Sequence, residues 1–124
     1  MEEVLAIHRD LLDRDGGTPG ILNLGSVDSA LDRTKWGPYD GRPSLVGRAA
    51  LLLRGICQDH PFADGNKRTS FFASYTFLAR NGLLLTASDE QVIAFMLDVA
   101  QDRINLVAMA EWLHAHGKTI NQEE

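Results

Sequence analysis

Residues 67–80 contain no glycine or proline, and their apolar members (Phe71, Phe72, Tyr75, Phe77, Leu78) point nearly all round a helical wheel. A helix of that kind has little face to offer water and must be enclosed by other elements. Asn81-Gly82 stops it. Upstream, Leu45, Ala49, Leu52, Leu53 and Ile56 line one face of a second helix, capped by Ser44 and ending near Asp59. A buried central helix with amphipathic neighbours describes an all-α fold.

The remaining segments agree. Residues 2–14 place Val4, Ile7, His8 and Leu11 along one side of a first helix, which Gly16, Gly17, Pro19 and Gly20 terminate. Ser26 or Asp28 caps a short helix through Leu31 to about Lys35. The connection 36–43 is too rich in Pro and Gly to be helical, so Trp36 and Tyr39 fall on a surface segment. Leu83 to Leu85 is extended, and Ser88-Asp89-Glu90-Gln91 forms a capping box for a helix with Val92, Met96 and Val99 facing inward. Asn105 caps a last helix ending near His116, with Gly117 as its stop, exposed His114 and His116, and a frayed polar tail from Thr119. No alternating pattern of useful length occurs, leaving a bundle of about six helices.

At 124 residues the chain is long enough for one domain, spanning 1–124, and too short for two. A net charge of −5 argues against a nucleic-acid partner held by a broad basic surface. The single cysteine, Cys57, allows no internal disulfide and reads as a core residue of a cytoplasmic protein. The apolar run 49–53 is far too short to cross a membrane, and Met1-Glu2-Glu3 is wrong for a secretory signal.

Between the two principal helices lies His60-Pro61-Phe62-Ala63-Asp64-Gly65-Asn66-Lys67-Arg68. It runs into a helix N-terminus, with Asn66 as a cap, and so presents backbone N–H groups suited to an anion. Gly65 permits close approach of a ligand, and Asn66 can donate from its amide. Lys67 and Arg68 oppose the helix dipole by about 0.3–1 kcal/mol each when exposed, a penalty that a bound polyanion reverses. Asp64 beside phosphate is a natural Mg²⁺ ligand, and His60 can serve as a base near neutral pH. Singly, each residue has a plain role open to it: a C-terminal cap for His60, a turn for Asp64 and Asn66, a solvated face for the cations. Together they form a phosphoryl- or nucleotidyl-transfer site.

The loop resembles the signature of the Fic/Doc family, whose Fic branch reads H-P-F-x-D/E-G-N-G-R-x-x-R; the match is at His60, Pro61, Phe62, Asp64, Gly65, Asn66 and Arg68. Lys67 replaces the second glycine, as in the Doc branch, and Phe71 replaces the final arginine. Gly65 leans toward Fic, because the phage toxin that named the Doc branch has alanine there. His8, on the apolar side of its helix, reads most simply as a buried, hydrogen-bonded histidine; the histidine and the Gly-Gly-x-Pro-Gly turn at Gly16 to Gly20 also resemble Doc proteins, and that resemblance offers a place at the border of the site as the lesser alternative.

The resemblance implies His60 as the base for a target hydroxyl and Asp64 as the holder of Mg²⁺ on nucleotide phosphates. Gly65, Asn66 and the opening helix amides would form the anion hole, with Arg68 on a phosphate oxygen and Phe62 packed inward. It implies ATP as the co-substrate. Lys67 goes with an inverted nucleotide that offers its γ-phosphorus, so a Ser or Thr of elongation factor Tu would be phosphorylated and translation stopped. AMP transfer tolerant of Lys67 is the alternative within the family, and a silent protein-binding domain is the alternative outside it. In Fic proteins a flap near Trp36 and Tyr39 holds the target. The restraining motif S/T-x-x-x-E-G/N is missing, since no glutamate (Glu2, Glu3, Glu90, Glu111, Glu123, Glu124) precedes Gly or Asn. Restraint would then come from a Phd-like antitoxin folding into a groove on the toxin.

Overall fold

The computed structural model describes residues 1–36 and 44–120. Its elements are α1 (Glu2–Asp15), α2 (Leu24–Trp36), α3 (Leu45–Asp59), α4 (Asn66–Arg80), β1 (Leu83–Leu85), α5 (Asp89–Ala100), α6 (Leu106–Ala115) and β2 (Gly117–Thr119). The fold is the expected helical bundle with one small sheet added. The expected flap at Trp36 and Tyr39 lies outside the described residues, apart from the backbone of Trp36 at the end of α2.

Helix α4 is central, and it shares that place with α3, which packs on α2, α4, α5 and α6. One side of α3 (Ala49, Ala50, Leu53, Cys57) meets Leu78, Phe95, Met96, Val99, Met109 and Leu113. Its other side (Leu52, Ile56) meets Val4, Val27, Ala30, Phe62 and Ala73. The helix thus forms the wall between two apolar clusters. Gly55 allows α2 to come close, because a Cβ there would stand 2.8 Å from the Cβ of Ala30. Cys57 is buried in this wall, and burial pushes its thiol pKa up, as suits a core residue.

The caps follow the sequence in most places. Ser44 Oγ accepts from Gly47 N–H at 2.9 Å, the Ser88–Gln91 capping box forms, and Asn105 Oδ1 accepts from Ala108 N–H at 2.8 Å. Helix α2 starts earlier than expected, at Leu24, because Asn23 Oδ1 takes the N–H of Ser26 at 3.2 Å and displaces Ser26 and Asp28 as caps.

The C-terminal segment also differs from expectation. Thr119, expected to open the tail, instead ends the strand Gly117–Thr119, the antiparallel partner of Leu83–Leu85 in the register Leu83↔Thr119, Leu84↔Lys118, Leu85↔Gly117, and the expected tail from 121 lies outside the described residues. Strands this short are invisible to a period-two test. His116 is half-buried rather than exposed: its ring stacks on Trp112 at 4.1 Å and Nδ1–H donates to the Trp112 carbonyl at 2.8 Å. Among the described residues, no helix is long and apolar enough to cross a membrane.

Candidate active site

Pro61 disfavours a helical conformation at the residue before it, so α3 has to end at Asp59. The chain leaves through His60 in the left-handed region, φ 50° and ψ 58°, at the C-cap position. Few non-glycine residues occupy that region, and here an exposed histidine does. Phe62 then turns inward, 1% exposed, and anchors the loop in the core.

Asn66 does not cap α4. The N-cap is Gly65 (φ 81°), and Asn66 reaches back instead: its Oδ1 accepts from Phe62 N–H at 3.0 Å and its Nδ2 donates to the Phe62 carbonyl at 2.9 Å. The side-chain amide is used to close the loop, so what Asn66 offers a ligand is its backbone N–H. The first bond of the helix ladder runs from Thr69 N–H to the Gly65 carbonyl. The N–H groups of Asn66, Lys67 and Arg68 precede it and have no acceptor within the helix. A Cβ on Gly65 would meet the His8 and Arg68 side chains at ordinary contact distances of 3.5 and 3.6 Å, so the left-handed φ of 81°, rather than a lack of space, calls for glycine here.

The segment after α1 braces the loop from outside. Pro61 carbonyl accepts from the N–H groups of Leu22 (2.7 Å) and Asn23 (3.0 Å), and Ala63 N–H donates to the Gly20 carbonyl at 3.0 Å. Ile21 and Phe62 form an isolated antiparallel bridge. Beneath the loop, His8 Nε2–H donates to the Asp64 carbonyl at 2.8 Å, and its ring stacks on Phe62 with centroids 3.8 Å apart. His8 is thus the buried, hydrogen-bonded histidine that the sequence suggested, and its partner belongs to the loop, whereas the sequence read the glycine turn only as a terminator. Nothing in the turn's composition distinguishes a brace from a simple reversal.

The Asp64 carboxylate is held from both sides, with Oδ2 accepting from Thr18 N–H at 3.1 Å and Oδ1 from Gly65 N–H at 2.8 Å. The Thr18 contact first, then Gly65, and more weakly the Arg68 and His8 charges, lower its pKa below the ordinary 3.8. An exposed, ionised carboxylate with one N–H on each oxygen keeps lone pairs for a cation. No group of three or more His, Cys, Asp or Glu able to hold a metal occurs among the described residues. Asp64 therefore fits a cation that takes its other ligands from phosphate and water, as Mg²⁺ does.

Arg68 points toward the rim, 3.4 Å from the Gly16 carbonyl and 3.5 Å from Asp15. Lys67 is exposed and has no ion pair among the described residues. His60, Ala63, Asp64, Gly65, Asn66, Lys67 and Arg68 line one cleft of about 220 Å³, so all six residues singled out in the sequence converge. Phe71, at the position of the Fic arginine, is buried and makes an edge contact with Phe72 at 5.6 Å.

Residues 1–78 match the model of the Fic/DOC family. The chain belongs to the Fic/Doc family. A toxin Doc of Mycolicibacterium smegmatis is 38% identical over 95 residues, covering 75% of this chain and 68% of that protein. A protein kinase doc of Escherichia phage P1 is 29% identical over 113 residues, covering 90% of this chain and 89% of that one. With Lys67 in its motif and relatives of that name, the chain is a Doc-type member of Fic/Doc.

The bracketing of Asp64 has a measurable consequence. Its folded pKa is depressed, so its contribution to stability is present above the ordinary 3.8 and is lost as pH falls through the lowered folded value. Asp64→Asn should flatten the acid limb of stability against pH, read from urea midpoints. An acid limb as steep as that of the unmodified protein would mean that the Thr18 and Gly65 contacts do not form in solution.

Proposed function

We propose that this protein is a cytoplasmic Doc-type toxin that transfers the γ-phosphoryl group of ATP to a Ser or Thr hydroxyl of elongation factor Tu. Its restraint would come from a Phd-like antitoxin. The observation that carries the reading is Lys67 in the first turn of α4, on the wall of a cleft that also holds His60 and Asp64. A lysine there fills the space that two glycines leave for deeply seated phosphates, and the phage relative bears the name of a protein kinase.

His60 takes the proton of the target hydroxyl as that oxygen bonds to phosphorus and the bond to the leaving ADP oxygen breaks. The N–H groups of Asn66, Lys67 and Arg68 and the two side-chain cations receive phosphate oxygens and stabilise the charge that moves onto them. Mg²⁺, held by Asp64, would supply further neutralisation of phosphate charge. Arg68 has five donors, so its contacts with Gly16 and Asp15 leave it able to bind a phosphate oxygen.

Glycine at position 65, as in the Fic signature, favours AMP transfer as a second reading. Incubation with purified elongation factor Tu and ATP labelled at the γ or the α position separates the two. Label from the γ position is expected in the product. Label from the α position would establish AMP transfer, and no label from either would leave a binding domain. Lys67→Gly should lower γ transfer by about tenfold or more, the effect of losing one charged contact to the transferring group. Unchanged γ transfer in that variant would remove Lys67 from the explanation.

A further inference from the structure

The geometry points to His8 as a positioning residue for Asp64, acting through the peptide plane between Asp64 and Gly65. The inference rests on the reading of Asp64 as the cation ligand. His8 lies on α1, 6% exposed, and its only polar contact among the described residues is the 2.8 Å bond to the Asp64 carbonyl. A carbonyl can only accept, so Nε2 carries the proton. The same peptide unit carries the Gly65 N–H on its opposite edge, and that N–H donates to Asp64 Oδ1 at 2.8 Å. Fixing the carbonyl therefore fixes the direction of the N–H, and the N–H fixes one carboxylate oxygen. Thr18 N–H fixes the other.

Glycine at position 65 makes such a hold necessary. With φ at 81° and no Cβ, Gly65 offers little resistance to rotation of the peptide before it. A flip of that peptide would turn the Gly65 N–H away from Oδ1 and bring a carbonyl dipole toward the cleft where the phosphates are to sit. His8 opposes the flip from below, its ring wedged flat against Phe62 with an interplanar angle of 10°. Stacking and hydrogen bonding are thus two separable functions of one side chain. The stack holds the ring, and the ring holds the peptide.

Two substitutions separate them in the full-length chain. His8→Phe keeps a flat ring on Phe62 and loses the donor. His8→Gln loses the ring and keeps an N–H at a similar reach. Three quantities are read: hydrogen exchange of the Gly65 amide by NMR, binding of Mn²⁺ with a non-hydrolysable ATP analogue, and the urea midpoint. His8→Phe is expected to speed Gly65 exchange about tenfold and weaken Mn²⁺ binding by about the same factor, with a smaller change in midpoint than His8→Gln shows. His8→Gln is expected to keep both site readouts within about threefold of the unmodified protein despite its poorer packing. If His8→Phe matches the unmodified protein, or if the two variants are equally impaired, His8 is a packing residue and the inference is overturned. If Gly65 exchange responds as expected while the unmodified protein itself binds no Mn²⁺, positioning by His8 stands and the assignment of Asp64 as cation ligand fails.

Discussion

Replacing His60 by glycine should abolish transfer while giving a protein more stable than the corresponding alanine variant. Both substitutions remove the base, and loss of a positioned base lowers transfer by about 10²–10⁴-fold. They differ in the backbone. At φ 50° an L residue carries a cost of about 1–2 kcal/mol that glycine avoids, partly offset by glycine's larger unfolded-state entropy. His60→Gly should therefore exceed His60→Ala by about 1 kcal/mol in urea unfolding, with both devoid of transfer to the target. Near-normal transfer by either variant would remove His60 from the mechanism. The pairing of a strained conformation with an exposed imidazole is what a chemical role would explain, because a capping position alone is served better by glycine.

Phe62→Ala should show the opposite profile, a large loss of stability and loss of activity through geometry. Phe62 is 1% exposed, packs with Val27, Leu52, Ile56 and Ala73, and stacks on His8. Truncating a buried phenylalanine costs about 3–5 kcal/mol, a large part of the roughly 5–15 kcal/mol that stabilises a typical domain. The urea midpoint should fall accordingly with little change in slope. Transfer should fall as well, since Asn66 closes the loop through the Phe62 backbone and His8 orients Asp64 from the face of the Phe62 ring. A loss of less than about 1 kcal/mol would mean that the loop is not anchored through this ring.

The helices were legible because their evidence is local. Ser44, Ser88 and Asn105 each cap a helix within a few residues of the apolar stripe they introduce. That six residues would line one cleft was legible because they fall within nine consecutive positions and together carry groups that turn formation does not need. What the sequence hid was long-range. Thr18 and Gly20 contact the loop through backbone groups, and no side chain announces such a contact. Asn66 looked like a cap because its position and type suit one; only the position of Phe62 shows that its amide closes a ring instead. The strand at Gly117–Thr119 was hidden by its brevity, and by Gly117, which reads as a helix stop yet is also needed because a Cβ would come within 2.8 Å of Leu83.

The attachment of α1 has a consequence for how long an active molecule stays active. This helix buries a single face, chiefly on α4, and its ion pair between Glu3 and Arg80 is exposed on both partners and adds little. Such an element opens at a lower free energy than the α3–α4 centre. Yet its departure takes away His8, and it loosens Thr18 and the Gly20 brace that follow it in the chain. Activity should then decay on warming before the bulk of the helical signal does, because detachment of one peripheral helix disassembles the cleft and uncovers the cluster that Val4 shares with Leu52 and Ile56, while the cluster of α3 with α5 and α6 contains no α1 residue and remains in place.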